Sequence, residues 1–325
     1  MNDEFISAFS GRIGAFLDYR TARGFKRETY IRHFIRFDRW CAEKQPGQDL
    51  LSREIVHGWI DDDKAPCHEL SHRAAAMRLF GRYLCSLGED AYVLPDKYTP
   101  IKSHAAVFVF TDAELSALFE SIDFLVPTKK EPFLNEIVSV LFRLIYTCGL
   151  RPNEGRELLA ENVFLDTGAV LITHTKRNKE RFVVMSDDMV ALARRYDQRR
   201  RIFGGGSPYF FPSAGGGPLS AETIHSALNM AWSHADIDGK HPGKIRVYSL
   251  RHQFASACLN RWLDNGENLM AMLPFLREYM GHKNLSETAY YIHILPENLI
   301  KSPAIDWDKF NAMFQEVEKL KKTRR

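Results

Sequence analysis

The first hundred residues carry apolar side chains at the spacing of amphipathic helices. In residues 16–40, apolar and aromatic residues recur near helical spacing. The opposite face of this stretch carries Arg32, Arg36 and Arg39. Gly24 interrupts the pattern, so the stretch fits either two helices or a helical hairpin.

A second helical pattern covers residues 71–87, and the alternation typical of strands is not visible nearby. Together these patterns predict a small helical bundle. Between residues 94 and 106, Pro95, Pro100 and several polar residues break the pattern and indicate a linker. We therefore expect a helical domain over residues 1–105 and a second domain over residues 106–325.

The second domain mixes helix and strand patterns. Residues 111–114 have the form of a capping box ahead of an apolar helix. Two strands are predicted on either side of a polar turn at residues 176–180. The predicted elements are helices over 115–124, 135–146, 220–235 and 251–263 and strands over 163–173 and 181–185. The expected fold class is mainly α with a small β-sheet, in which a helical domain precedes a mixed α/β domain.

Composition places the chain among ordinary globular proteins. It has 325 residues, of which 45% are hydrophobic and 26% charged, and this length suits two domains. Five cysteines without a close pair argue for a reducing compartment, and no secretory signal or membrane-length apolar run is visible. These observations predict a cytoplasmic protein. The net charge of +3 neither demands nor excludes nucleic acid as a partner.

Two triple-glycine runs, at residues 204–206 and 215–217, flank an aromatic stretch. Neither is followed by the Lys-Ser or Lys-Thr pair of a phosphate-binding P-loop, so flexible loops are expected there. A zinc site built from Cys67, His68 and His72 is disfavoured, and the sequence offers no carboxylate cluster for a divalent metal.

Several charged motifs could carry chemistry, although each also has a structural interpretation. Arg151 follows an apolar helix and a glycine at the start of a new helix, which suits a phosphate but is also common for a solvated charge. Lys176 lies at the tip of the predicted hairpin, where it could reach over a ligand or be an ordinary charged turn residue. Further along stand residues 248–252, 279–282 and 288–293, reading Tyr-Ser-Leu-Arg-His, Tyr-Met-Gly-His and Thr-Ala-Tyr-Tyr-Ile-His.

Taken in order, these motifs resemble those of the tyrosine recombinases, also called the phage integrase family. That family has Gly-Leu-Arg-x-x-Glu, a hairpin lysine, His-x-Leu-Arg-His, Leu-Gly-His and Tyr-x-His. Here the corresponding segments are 149–154, Lys176, 250–252, 280–282 and 291–293. The resemblance covers about residues 106–300, and the helical segment before it fits the family's core-binding domain by its layout only.

The resemblance implies DNA strand cleavage and rejoining without metal, ATP or another cofactor. Tyr291 would be the nucleophile that forms a 3′-phosphotyrosyl link, in preference to Tyr290, because only Tyr291 lies nine residues after His282 and begins Tyr-x-His. Arg151 and Arg251 would clamp the phosphate, with His282 as a further donor. Lys176 would protonate the departing oxygen.

Other residues receive supporting roles in the same scheme. His252 is expected to support the active site, and Glu154 to orient Arg151 or to cap its helix. DNA backbone contacts are expected from Arg32, Arg36, Arg39, Arg177 and Lys179, although the first three also fit a merely solvated helix face.

One position departs from the family pattern. Three residues before Arg251 the family usually has histidine, sometimes lysine, and here Tyr248 occupies that position. A phenol can donate a hydrogen bond to a phosphate oxygen, but its high pKa makes it a poor general base at neutral pH. An accessory DNA-binding protein with weakened catalysis therefore stays an alternative, as does a topoisomerase-like relaxing enzyme.

The expected partners are double-stranded DNA with a specific recombination site and further copies of the chain. Recombination joins two DNAs, so a homotetramer on two sites is expected, with a helper or sister recombinase possible and no membrane. Residues 310–320 carry an apolar helical stripe that, by resemblance, would dock on a neighbouring protomer, or else pack within its own chain. A mobile element is the expected genetic setting, with chromosome or plasmid dimer resolution as the alternative.

Overall fold

The computed structural model of the protein describes residues 5–61, 67–98, 108–173, 180–235, 237 and 244–294. The described chain divides into two compact units, one ending at Tyr98 and the other beginning at Phe108. The predicted tail helix at residues 310–320 lies outside the described residues. None of the described helices is long and apolar enough to cross a membrane.

The first unit is a bundle of four helices, as the periodicity predicts. Their bounds are α1 Ser10–Ala22, α2 Glu28–Lys44, α3 Arg53–Asp61 and α4 Cys67–Ser86. Gly24 adopts a φ of 81°, which a residue with a side chain rarely adopts, and it separates α1 from α2 as two helices. Aromatic rings fill the core, where Phe34 contacts Phe16, Phe37 and Phe80 in tilted or edge-on geometry.

A buried carboxylate fixes the N-terminal segment to this bundle. Asp38 is 1% exposed and accepts hydrogen bonds from the backbone N–H groups of Ile6 and Ser7 and from the Ser7 hydroxyl. These donors compensate the carboxylate for the water it loses on burial. The predicted linker begins later than the sequence indicates, since Arg78 of α4 donates to the carbonyls of Leu94, Pro95 and Tyr98.

The second unit contains the remaining elements. Its described helices are α5 Asp112–Asp123, α6 Leu134–Cys148, α7 Pro152–Arg156, α8 Asp187–Phe203, α9 Ala221–His234, α10 Val247–Asp264, α11 Leu269–Met280 and α12 Leu285–Ala289. The capping box before α5 is confirmed, because Thr111 and Glu114 exchange side chain-to-backbone hydrogen bonds. Short 3-10 turns occur at Ala160–Asn162 and Tyr290–Ile294.

The sheet has three antiparallel strands rather than the two predicted. They are β1 Val163–Phe164, β2 Ala169–Ile172 and β3 Arg181–Val184, in that order across the sheet. The single strand predicted over 163–173 is wrong because the chain turns between β1 and β2 at Gly168, whose φ is 74°. In the register, Val170 lies opposite Val183, and both side chains are buried in the core of this unit.

The second unit buries α6 most completely, with nine of its side chains in the core. Helix α6 contacts α5, α8 and α10, so it forms the centre around which the candidate site is assembled. A smaller apolar cluster joins α10, α11 and the 3-10 turn at Tyr290–Ile294. This cluster packs α11 and the 3-10 turn against α10, which in turn packs against α6.

Candidate active site

Helix α6 ends where the first arginine of the motif begins. Gly149 closes the helix with a φ of 63°, and a Cβ at this position would lie 2.4 Å from a ring carbon of Phe254. Arg151 then has extended backbone and caps α7, whose first residue is Pro152. The sequence Gly-Leu-Arg-Pro therefore ends one helix at Gly149 and places Arg151 at the start of the next.

Glu154 is a buried carboxylate held by two guanidinium groups. It accepts hydrogen bonds from the Arg151 backbone N–H at 2.8 Å and from Arg151 Nη1 at 2.7 Å. Arg181 adds a two-pronged contact at 3.0 Å and 2.7 Å. Burial raises the pKa of Glu154, but hydrogen bonds and charge from Arg181 and Arg151 outweigh it and hold the pKa at about 2. Glu154 was expected to orient Arg151 or to cap its helix, and it contacts both the side chain and the backbone N–H of Arg151.

Arg251, in the second turn of α10, is fully buried. Its guanidinium donates to the carbonyl oxygens of Gly149 at 2.6 Å and Met280 at 2.7 Å. Nη2 also lies 2.9 Å from His282 Nε2, whereas Nε has no hydrogen-bond partner among the described residues. A buried arginine with an unused donor is costly unless an acceptor arrives, so this group is poised for an anion.

His282 follows Gly281, which ends α11 with a φ of 65°. Its Nε2 accepts from Arg251, and its Nδ1 lies 2.8 Å from Thr288 Oγ1. Because guanidinium nitrogens only donate, this network assigns the proton of the neutral ring to Nδ1. Burial, followed by the positive charge of Arg251, lowers the pKa of His282 to about 3, so the ring is neutral at physiological pH.

Tyr291 lies against both histidines. Its ring stacks on His282 with centroids 6.0 Å apart, and its hydroxyl is 3.1 Å from His252 Nδ1. Tyr291 is 2% exposed, whereas Tyr290 is 38% exposed. Burial, followed by the neighbouring Tyr248, raises the pKa of Tyr291, and Arg251 offsets part of this effect. Of the two tyrosines, Tyr291 is the one within the cluster of arginines and histidines.

Tyr248 occupies the edge of the same cluster. Its ring meets His252 edge-on at 4.8 Å between centroids, and the Arg251 guanidinium carbon lies 5.9 Å from the ring centre. At 36% exposure, Tyr248 is more accessible than Arg251 or Tyr291. Its hydroxyl is therefore placed at the rim of the site.

The structure thus brings together five of the residues singled out in the sequence: Arg151, Tyr248, Arg251, His282 and Tyr291. Lys176, Arg177 and Lys179 lie outside the described residues. In the first unit, Arg32, Arg36 and Arg39 are exposed on α2, and Arg36 forms an ion pair with Glu69.

Sequence reasoning missed Arg181. Besides holding Glu154, its Nε donates to the Tyr279 carbonyl at 2.8 Å, and its side chain is 11% exposed. The available signal was its position at the first residue of the predicted strand, but a run of charges before it made a solvated turn the simpler interpretation. Sequence reasoning also left open the contact between His252 and Tyr291.

No group of three metal-ligating side chains occurs in the part of the chain that the structure describes. The side chains of Cys67 and His68 lie outside that part, and the His72 ring stacks on His33 at 6.0 Å. Among the described residues, the candidate site consists of three guanidinium groups, the Glu154 carboxylate, two imidazoles and two phenols. Arginine forks recognise phosphate, and a buried phenol beside a neutral imidazole can become a nucleophile.

Comparison with known proteins decides the class of this site. The profile of the Phage integrase family matches residues 118–298, more than half of the chain. The chain belongs to the phage integrase family. It is a tyrosine recombinase, an enzyme that breaks and rejoins DNA strands at specific sites.

Relatives of this recombinase share both sequence and fold. The chain is 26% identical over 302 residues to y4rB of Sinorhizobium fredii, described as an integrase/recombinase, covering 90% of this chain and 95% of that protein. The XerH site-specific recombinase, in a post-cleavage complex with a difH substrate, has a TM-score of 0.64 at 18% identity, covering 87% and 80% of the two chains. Lambda integrase, solved as a tetramer bound to a Holliday junction, has a TM-score of 0.62 at 15% identity, and the match covers 86% of this chain and 76% of that chain.

Proposed function

We propose that this recombinase cleaves DNA by attack of the Tyr291 hydroxyl on a phosphodiester clamped by Arg151 and Arg251. One chain of contacts carries the proposal: Arg251 reaches His282 Nε2 at 2.9 Å, and the His282 ring stacks on Tyr291. A proposed nucleophile, a neutral imidazole and a buried cation therefore occupy one small volume.

The arginines supply the electrostatic part of catalysis. Negative charge builds up on the non-bridging oxygens as the phosphorus is attacked, and preorganised donors of this kind each contribute about 3 kcal/mol. Arg251 offers its unpartnered Nε–H, and Arg151 is held in place by Glu154 and by the Gly281 carbonyl at 2.5 Å. With Lys176 as a third cation, the proposed reaction requires no divalent metal.

The bond changes conserve the energy of the phosphodiester. The Tyr291 oxygen forms a bond to phosphorus, the bond to the 5′-oxygen breaks, and Lys176 protonates that oxygen. The products are a 3′-phosphotyrosyl link and a 5′-hydroxyl. Attack by a 5′-hydroxyl reverses the step and needs no ATP.

The assembly and its setting extend the same proposal. Exchange between two duplexes involves four strand cleavages, which four copies of the chain on two sites would provide. The fold shared with lambda integrase, solved as a tetramer on a Holliday junction, supports this arrangement. Residues 1–105 would form the core-binding domain and residues 106–325 the catalytic domain, with residues 310–320 linking protomers. A sister recombinase or a helper protein would complete some of these complexes. The gene would belong to a mobile element, and the protein would act in the cytoplasm.

The experiment is covalent capture on nicked duplexes. The full-length protein is incubated with two pools of nicked duplexes. One pool is tiled in single-nucleotide steps across the DNA flanking the gene, and the other has randomised arms. We expect an adduct that survives denaturant and EDTA, is lost in Tyr291→Phe and persists in the matched control Tyr290→Phe. An adduct that persists in Tyr291→Phe contradicts the assignment of the nucleophile.

A second candidate function is that of an accessory DNA-binding protein of the same family. The observation in its favour is Tyr248 at the position where the family usually has histidine. If the protein retards a duplex from either pool in a gel shift but forms no adduct with it, the accessory role replaces the catalytic one.

A further inference from the structure

The hydroxyl proton of Tyr291 needs an acceptor in the proposed reaction. Among the described residues, His252 Nδ1 is the imidazole nitrogen within hydrogen-bond distance of the Tyr291 oxygen, at 3.1 Å. A tyrosine hydroxyl that attacks phosphorus must lose its proton as the new bond forms. With the proton of the neutral His252 ring on Nε2, Nδ1 accepts the hydrogen bond from the Tyr291 hydroxyl and is the natural base.

The other imidazole is occupied. His282 Nε2 accepts from Arg251, and its Nδ1 carries the proton that Thr288 accepts. Its ring lies nearly parallel to Tyr291, with 14° between the planes, so its nitrogens are not directed at the hydroxyl. Both nitrogens of the neutral His282 ring are therefore engaged, and His282 is not available as the base for the nucleophile.

Tyr248 cannot replace the missing family histidine as a base, because phenols hold their proton at neutral pH. His252 lies one helical turn further along α10, on the same face, and contacts both tyrosines: the Tyr248 ring edge-on and the Tyr291 hydroxyl directly. The second histidine of the His-x-Leu-Arg-His motif is thus present in this site, although the first is replaced by Tyr248.

We propose that His252 is a catalytic residue that accepts the Tyr291 proton during cleavage and returns it during ligation. In cleavage the Tyr291 O–H bond breaks, its electron pair forms the bond to phosphorus, and the proton moves to His252 Nδ1. In ligation the P–O bond to Tyr291 breaks and the same proton returns to the phenolate. The base assignment rests on the proposed role of Tyr291 as nucleophile.

The surroundings keep His252 in the form that can accept a proton. Burial, followed by the charge of Arg251, lowers the pKa of His252 to about 4, and the other titratable groups that face it are Tyr248, Tyr291 and His282. A phosphodiester bound to Arg251 brings a negative charge that offsets the guanidinium. Substrate binding therefore increases the basicity of His252 when the proton must move.

The test uses the nicked duplex captured by the wild-type protein and measures single-turnover adduct formation. His252→Asn keeps an acceptor near the Nδ1 position without basicity, and His252→Ala opens a space for added bases. We expect both variants to slow cleavage about 100-fold. Added imidazole should raise the cleavage rate of His252→Ala at least tenfold, and the increase should be proportional to the unprotonated fraction of the imidazole. Pyrazole has the same shape but is far less basic, and it should not raise the rate.

Rates within threefold of wild type for His252→Asn, or equal rescue by pyrazole and imidazole, would overturn the assignment. Persistence of the adduct in Tyr291→Phe would instead refute the proposed nucleophile, so the two failures are distinguishable. If the His252 variants do not fold, nitrogen NMR of labelled histidine in wild type and in Tyr291→Phe tests the contact between His252 and Tyr291. Loss of an accepted hydrogen bond moves the Nδ1 signal of His252 downfield in Tyr291→Phe, and an unmoved signal rejects the contact.

Discussion

The Glu154 carboxylate accepts two parallel hydrogen bonds from Arg181, at 3.0 Å and 2.7 Å, across 27 residues of sequence. Because Arg181 is the first residue of β3, this pair ties the start of that strand to the helix start that carries Arg151. The buried carboxylate thereby holds two separate parts of the site in register.

Glu154→Gln should reduce the free energy of unfolding by about 3 kcal/mol at pH 7, since it leaves buried guanidinium groups without their counter-charge. The folded-state pKa of about 2 lies below the unfolded value of 4.5, so the stabilisation is complete above about pH 4.5 and disappears as the pH falls toward 2. Urea denaturation at a series of pH values measures the difference. Glu157→Gln, at a partly exposed ion pair with Arg156, is the matched control and should change stability by less than about 1 kcal/mol.

Gly281→Ala should slow cleavage by more than its loss of unfolding free energy alone would explain. An added Cβ would lie 3.2 Å from Arg181 Nη1 and 3.4 Å from Arg151 Nη1, at a φ of 65°. Gly266→Ala is the control, because its φ is 72° and its Cβ would meet nothing within 4 Å. Both variants should lose about 1–2 kcal/mol of unfolding free energy from the left-handed backbone. Adduct formation should fall about tenfold in Gly281→Ala only; equal rates in the two variants would show that the arginines tolerate displacement.

Tyr248→His should retain or increase the cleavage rate, because it restores the group that the family usually has at the rim of the site. Tyr248→Phe removes the hydroxyl while keeping the edge contact with His252. Loss of a hydrogen bond to a charged oxygen should slow cleavage roughly tenfold. Single-turnover rates on the captured duplex measure both variants, and a full rate for Tyr248→Phe would remove the hydroxyl from the mechanism.

Lys176→Ala should slow cleavage of an ordinary duplex and recover on one whose 5′-leaving atom is sulfur, because a thiolate leaves without protonation. Lys179→Ala, which removes a charge expected to contact DNA, should show no such recovery. The ratio of the two rates for each variant is the measurement. Failure of Lys176→Ala to recover would assign the general acid elsewhere.

Arg32→Ala and Arg39→Ala should each reduce the magnitude of the slope of log binding constant against log salt concentration by about 0.9. This value assumes that each arginine releases one counterion when it binds duplex DNA. Arg36→Ala should change the slope less, because Arg36 is already paired with Glu69. Binding titrations at several salt concentrations supply the slopes. Unchanged slopes in all three variants would mean that this face of α2 is only solvated.

The sequence was most informative where backbone geometry and chemistry coincide. The Gly-Leu-Arg-Pro segment predicts a helix end and a helix start, and both are found at Gly149 and Pro152. The order of the motifs anticipated the gathering of Arg151, Arg251, His282 and Tyr291, because the resemblance to tyrosine recombinases implies that they share one site. The patterns also predicted the helical bundle, in which the apolar stripe is clearest on α2 and α3.

Contacts between distant charged residues could not be predicted in the same way. Arg181 follows a run of charges, and only the packing of β3 against α11 turns it inward onto Glu154. Helix α8 was missed because charged residues mask its apolar stripe, and Gly168 was read as part of a strand although it makes a turn. Hydrophobic periodicity reports which face is buried, but not which buried cation meets which carboxylate.

The exposed fractions of Tyr291 and Arg251 are only 2% and 0%, so both groups are shielded from solvent in this structure. If cleavage follows the proposed mechanism, a conformational step that uncovers these side chains must precede the attack on phosphorus. A duplex that does not bring about this step would be bound without being cut.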